Sequence, residues 1–274
     1  MKKEKDWPDI MPDNYLDARS MLKFIPQRWE KDLTVMIPCY NEEGNIIETL
    51  DILIPVLRRT PYSWEIIVID DASRDKSGEL VQGYINKHPD CCITLRVRKD
   101  NAGLAQNYVD GAFLARGKYY KLVCADNAEP KETLEKIFGS LGKADLIIPY
   151  HIEVKGRSFF RYLLSKTFTL MVNAISGYKI RYYNGCALCL TYNIMRWHSS
   201  YNGFCFQADL ITRSIEEGAG YLEIPVISQE RKTGVSKALK LMNFFSTAHF
   251  FMDLIIRRIS QFYSACEKKY IKAH

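Results

Sequence analysis

The sequence predicts an α/β fold built on a mostly parallel, doubly wound sheet flanked by helices, and two observations predict it. From residue 33 onward, short runs rich in Val and Ile alternate with longer segments whose apolar residues recur at three and four. The residues that follow those runs are unusually polar, as expected where strands end at the ligand-binding edge of such a sheet.

Strands are expected over residues 33–37, 65–69, 93–97, 119–123 and 145–149. After the first, Ile46, Ile47, Leu50, Leu53, Ile54 and Leu57 keep helical spacing, and in the fourth such segment Leu134, Ile137, Phe138 and Leu141 do the same. A strand, a helix and the next strand in turn make parallel neighbours, because a parallel partner is reached only by a crossover.

The composition fits one large domain. The chain has 274 residues, 47% hydrophobic and 26% charged, with 15 Gly and 10 Pro, which excludes a collagen-like or wholly disordered chain. At this size a core forms without disulfide or metal staples, so the eight Cys are read as reduced, buried thiols. Cys186 and Cys189 make a lone C-x-x-C without a second pair at zinc spacing, and an inward-facing pair is expected. The 38 Lys and Arg against 32 Asp and Glu give +6, a tilt toward anionic partners, but the basic residues are dispersed and no nucleic-acid motif accompanies them.

Residues 1–30 hold no apolar stretch of signal-peptide length, so a cytoplasmic location is expected. The most apolar segment, residues 241–256, is interrupted by Asn243, His249 and Asp253, which disfavours a membrane span.

Four strand ends carry the candidate chemistry. They are residues 38–45, 70–77, 99–103 and 124–129, three of them with two or more carboxylates together. Taken singly, Asn41, Asn45, Asp75 and Ser77 read as helix caps and turn formers. Gathered on one edge, acids and amides suit a cation, a ribose or a base. No Walker-type loop and no post-strand G-x-G-x-x-G is present.

The order Ile37-Pro38-Cys39-Tyr40-Asn41-Glu42, Asp70-Asp71-Ala72-Ser73, Asn101-Ala102-Gly103 and Ala125-Asp126 resembles family 2 glycosyltransferases of the GT-A fold. Downstream, Phe206-Gln207-Ala208-Asp209, then Glu223-Ile224-Pro225, then the segment from Glu230 to Lys237 resembles their polyprenyl-phosphate sugar transferases, and the likeness covers roughly residues 32–240. It implies an N-terminal extension over 1–31, a transferase domain over 32–236 and a C-terminal amphipathic helix over 237–274.

The resemblance places Pro38, Tyr40 and Glu42 in a nucleoside pocket and Asp71 on the base of a GDP- or UDP-sugar donor; for Asp70 a turn-stabilising role weighs equally. The family's Asp-x-Asp, with a polar ligand two residues on, reads here Cys124-Ala125-Asp126-Asn127-Ala128. Mg²⁺ or Mn²⁺ is therefore expected at Asp126 with substrate phosphates and water, Asn127 or Glu129 assisting. Basic side chains neutralising the diphosphate without metal, or sugar-nucleotide binding without transfer, are the alternatives.

On the acceptor side, the resemblance makes Asp209 a general base for an alcohol acceptor, or an orienting group for an already ionised lipid phosphate. Gln207 belongs to the same motif, Arg161 and Ser165 match the family's lipid-phosphate contacts at four-residue spacing with Arg157 on their stripe, and Arg231 and Lys237 match its closing basic segment. Transfer to a saccharide hydroxyl, or a non-catalytic scaffold role, is the rival. Leu241, Phe245, Ala248, Met252, Ile255, Ile259 and Phe262 form a helical seam flanked by Lys and Arg. It suits packing against the core, a homodimer, or peripheral attachment to the cytoplasmic leaflet.

Overall fold

In the computed structural model, which describes residues 29–155, 159–197, 205–229 and 241–273, the five expected strands are present, all but the third with shifted ends, and two more join them. They are β1 (Lys31–Cys39), β2 (Trp64–Asp70), β3 (Ile93–Val97), β4 (Gly117–Leu122), β5 (Leu146–Lys155), β6 (Leu188–Leu190) and β7 (Tyr221–Gln229). One sheet results, in the order β3-β2-β1-β4-β6-β5-β7. Its pairs are parallel except where the short β6 runs antiparallel between β4 and β5.

The strand order explains the apolar runs. β1 has parallel neighbours on both sides, so both faces of Val35, Met36 and Ile37 are buried and the run is continuous rather than alternating. Leu33, Val35 and Ile37 enter one core with Leu50, Leu53 and Leu57 of α1 (Ile46–Arg58) and Leu134 and Ile137 of α4 (Lys131–Phe138). Met36, Ile67 and Ile69 enter the opposite core with Tyr108 of α3 (Leu104–Leu114) and Ala208 and Ile211 of α7 (Phe206–Glu216). The remaining helices are α2 (Ser77–Lys87), α5 (Phe159–Ser176), α6 (Thr191–Arg196) and α8 (Leu241–Ala273).

β4 starts two residues before the expected run because Gly117 is in register with Lys31 at the crowded foot of β1. A Cβ on Gly117 would sit 2.5 Å from the Leu33 carbonyl carbon and closer still to the Thr34 amide nitrogen. Gly117→Ala must therefore separate β1 from β4, and a loss of about 1–3 kcal/mol or more is expected in urea unfolding.

The C-terminal seam faces the other way from a core-packing one. α8 packs through Phe250 and Leu254, with Phe250 and Phe251 against Phe168 of α5. Phe245, Met252, Ile259 and Phe262 of the seam are more than half exposed. On α5, Phe159, Phe160 and Leu170 are likewise exposed, so the helix pair carries a broad apolar outer surface. Among the described residues no helix is long and apolar enough to cross a membrane.

Candidate active site

The sheet's direction of winding reverses between β1 and β4, which places the crevice at their carboxyl ends. Two loops there are laced together side chain to backbone. The Asn41 amide donates to Ser73 Oγ at 3.0 Å while the Arg74 amide donates to Asn41 Oδ1 at 2.8 Å; Asn41 holds φ at 57°, a left-handed conformation asparagine tolerates. The Glu42 amide donates to Ser77 Oγ at 2.9 Å, and the Lys76 amide to Glu43 Oε2 at 3.0 Å. Asp75 takes the Ser77 hydroxyl at 2.5 Å, the Ser77 amide at 3.0 Å and the Glu43 amide at 3.1 Å, and against the opposing effect of burial these bonds, the hydroxyl's foremost, hold its carboxyl below the usual range. Asp75 thus builds the turn ahead of α2, but Lys76 is that helix's N-cap and no side chain caps it; Asn45, at the N-cap of α1, likewise caps with no side-chain bond and turns its amide to Glu42 Oε2 at 2.9 Å.

Pro38, Tyr40 and Glu42 are half-buried on the rim of this crevice. Asp71, 4% exposed, lies at its floor, its amide donating to the Cys39 carbonyl at 2.8 Å. Its carboxylate takes the Ala102 amide at 2.8 Å and the Gly103 amide at 2.9 Å, with Arg98 at 3.9 Å. Gly103, with φ at 85°, opens α3 there, so Asp71 holds the third loop against the second and each oxygen keeps a lone pair for a ligand donor. Asp70 accepts the Ser73 amide at 2.9 Å, the turn-stabilising role.

The fourth loop follows β4. Asp126 is 8% exposed and takes the Ala128 amide at 3.2 Å, while Asn127, at φ 57°, accepts from Thr49 Oγ1 of α1 at 2.7 Å. Beneath it Lys121, fully buried, donates to the Leu122 carbonyl at 2.6 Å and to both Glu129 oxygens at 2.8 and 2.9 Å. Sequence reasoning missed this pair. The signal was a lysine inside an apolar strand with an acid eight residues on.

Cys124 meets Cys186 rather than a metal-binding acid. The hydrogen bond to Cys186, with burial adding, raises the Cys124 thiol well above its ordinary value. Cys186 and Cys189 both face the same core, Cys189 buried at 3.5 Å from the Tyr108 hydroxyl and Cys186 packed half-buried against it, whereas Cys92, expected to be buried, is exposed.

On the acceptor side, Asp209 is fully buried in α7 and saturated. Trp197 Nε1 donates to it at 2.7 Å, Arg213 Nε at 2.9 and 3.1 Å, and Arg257 of α8 at 3.1 Å. Asp253 and Glu216 extend the network through the same arginines. Burial still raises the Asp209 carboxyl above its ordinary value against those partners. Gln207 accepts the Ala187 amide at 3.2 Å, and its Nε2 has no hydrogen-bond partner among the described residues. Arg161 and Ser165 share the half-buried face of α5, one turn apart. Arg157, Arg231 and Lys237 lie outside the described residues.

A mixed, mostly parallel sheet with polar loops at the carboxyl ends of β1, β2 and β4 defines the GT-A class of nucleotide-sugar transferases. The model of "Glycosyl transferase family 2" matches residues 34–203, and the chain belongs to that family. It is 35% identical over 159 residues to the dolichyl-phosphate beta-glucosyltransferase of Dictyostelium discoideum, covering 52% of this chain and 49% of that protein. With the polyprenol monophosphomannose synthase of Mycolicibacterium smegmatis it shares 28% identity over 215 residues, 74% of this chain and 79% of the relative. Thus the chain spans about half the length of the Dictyostelium relative. Among solved structures, glucosyl-3-phosphoglycerate synthase from Mycobacterium tuberculosis superposes with a TM-score of 0.60 at 12% identity, over 93% of this chain and 85% of that one. The mannosyltransferase from Pyrobaculum calidifontis in complex with GDP-Man and Mn²⁺ gives 0.53 at 19% identity, over 77% and 62%.

Proposed function

We propose that the chain is an inverting glycosyltransferase that moves a sugar from a nucleoside diphosphate donor to a polyprenyl phosphate. The observation that carries the choice of acceptor is the state of Asp209. A saccharide hydroxyl needs a base to take its proton, and a carboxylate buried under Trp197, Arg213 and Arg257 is not placed to serve. A phosphate acceptor is already ionised. Its oxygen attacks the anomeric carbon as the carbon–oxygen bond to the diphosphate breaks on the opposite side, and the nucleoside diphosphate leaves with the electron pair.

In this reading Tyr40 and Pro38 flank the base, Asp71 accepts from it and Glu42 borders the ribose. Arg161 and Ser165 grip the acceptor phosphate, Gln207 Nε2 donates to an acceptor or sugar oxygen, and Arg231 and Lys237 close over the diphosphate. Asp209 is a positioning residue that fixes α7. The apolar outer surface of α5 and α8 supports a peripheral seat on the cytoplasmic leaflet, next to a lipid-linked acceptor, and a second copy of the chain would compete for that same surface.

Among the described residues no three His, Cys, Asp or Glu side chains gather to hold a cation. A protonated thiol at 124 and an alanine at 128 leave Asp126 as the single hard oxygen ligand. That donor set fits Mg²⁺ or Mn²⁺ arriving on the donor's diphosphate and does not fit an ion held by the chain alone. Bound there, the cation supplies positive charge to the leaving diphosphate. The same depleted motif favours a second reading, sugar-nucleotide binding without turnover.

Calorimetric titration with GDP, UDP, CDP and dTDP, each with Mg²⁺ or Mn²⁺ and again with EDTA, tests the donor site. One diphosphate is expected to bind selectively and in a cation-dependent way. Binding of none overturns the reading, and binding without transfer to polyprenyl phosphate moves it to the second.

A further inference from the structure

We propose that Lys121 and Glu129 are positioning residues of the donor site: their buried ion pair closes the turn after β4 and so holds Asp126 where a cation on the donor's diphosphate can reach it. The inference rests on the donor-site reading above. Lys121 is an unexpected residue for its place. β4 is an interior strand, with Val35 of β1 opposite Lys121 on one side and Leu188 of β6 on the other, and the lysine is wholly buried. Among the described residues it is the one buried lysine or arginine. An apolar side chain would enter such a strand without electrostatic cost, whereas a buried ammonium has to be compensated by partners.

Those partners lie at the two ends of one turn. Lys121 Nζ donates to the carbonyl of Leu122, where β4 stops, at 2.6 Å, and to both oxygens of Glu129, just ahead of α4, at 2.8 and 2.9 Å. A single ammonium therefore bridges residues 122 and 129 and makes a ring of the segment between them. Asp126 sits inside that ring. Thr49 of α1 reaches the same segment from outside, 2.7 Å from Asn127 Oδ1, so the residue after Asp126 has an anchor of its own. Against the opposing effect of burial, the Glu129 carboxylate holds the Lys121 ammonium above its ordinary value, and the pair stays charged at neutral pH.

The depleted motif gives this pair its importance. With cysteine at 124 and alanine at 128, Asp126 is the turn's one acid left to face the cation once Glu129 is engaged by Lys121. Glu129 thus acts on the cation through the path of the turn rather than as its ligand. A displacement of about 1 Å at a lone binding group is enough to lower its contribution severely, and no second side chain makes up the loss.

The test uses the whole chain and two variants, Lys121→Met alone and Lys121→Met combined with Glu129→Leu. For each, urea unfolding, calorimetric affinity for GDP, UDP, CDP and dTDP in Mg²⁺ and in EDTA, and amide hydrogen exchange over residues 123–128 are measured. The single variant leaves Glu129 without its counter-charge, so it is expected to unfold at lower urea and, per folded molecule, to bind about tenfold more weakly in Mg²⁺. The double variant separates the roles. Apolar groups in place of both members of a buried pair restore stability, so its unfolding is expected to return to that of the parent. Its turn, no longer bridged, is still expected to exchange faster and to bind about tenfold more weakly in Mg²⁺. In EDTA, where Asp126 holds no cation, parent and variants are expected to agree. A double variant that recovers affinity along with stability overturns the proposal, as does a turn that exchanges no faster in either variant. If the parent binds none of the four diphosphates, the donor-site reading fails by itself, and hydrogen exchange still decides whether the ion pair closes the turn.

Discussion

Replacing Asp209 by alanine is expected to lower the unfolding free energy by about 3–5 kcal/mol, because it leaves buried positive charge without its counterpart. Asp209 is fully buried, and Arg257, which reaches it from α8 at 3.1 Å, is itself 13% exposed. The same carboxylate takes Arg213 from one turn along α7 and the indole N–H of Trp197. Removing it unties α7 from α8, and urea unfolding at neutral pH reads the loss. Asp209→Asn separates structure from chemistry. It keeps the shape and discards the charge, so stability falls while transfer per folded molecule stays within about tenfold; removal of a general base instead costs about 10²–10⁴-fold. A drop of that size in the folded fraction would return Asp209 to the role of base and the acceptor to a hydroxyl. The pH dependence adds a second reading of the same group. Burial keeps the Asp209 carboxyl above its ordinary value, so only in the acid window between the unfolded and the native value does the native state hold a proton that the unfolded chain has released. Stability drawn from it is therefore greatest below the unfolded value and declines as pH rises through the native one, a slope the asparagine variant lacks.

The parts of this fold that could be read from the sequence are those with local causes. β1 and β2 are short apolar runs because both faces are buried, and their polar ends follow from where parallel strands deliver the chain. β6 was not legible: three residues, Leu188–Leu190, carry no periodicity, and only their pairing with β4 and β5 makes them a strand. β7 was hidden by Pro225, which a strand at the sheet edge accommodates. For α8, apolar residues occur on both faces, so spacing located the helix without saying which face is buried. Phe250 and Leu254 turned inward and most of the counted seam turned out. The site divides the same way. Loop residues near each other in sequence, such as Asp75 and Ser77, announced their turn, whereas the partners of Asp209, Cys124 and Lys121 depend on contacts made after the chain has folded. Arg257 lies 48 residues beyond the acid it neutralises.

Asp126→Ala is expected to weaken nucleoside diphosphate binding in Mg²⁺ by about 10–100-fold and to erase the difference between Mg²⁺ and EDTA. The size follows from losing one charge-assisted contact, about 1.5–3 kcal/mol. The loop has anchors besides Asp126. Within the turn Asp126 takes the Ala128 amide at 3.2 Å, and Thr49 on Asn127 and Lys121 on Glu129 hold the same segment. Unchanged urea unfolding together with lost cation dependence therefore assigns the effect to the ligand. Persistence of the EDTA response in Asp126→Ala overturns the assignment and places the cation on other oxygens. A single-carboxylate site makes a further demand. Because the chain alone offers too few hard ligands, Mg²⁺ without nucleotide is expected to bind the parent protein no better than the variant, and calorimetry with the metal alone reads that directly. The diphosphate then brings the ligands that Cys124 and Ala128 do not, so donor and cation must bind as one unit, each raising the affinity of the other by the same factor.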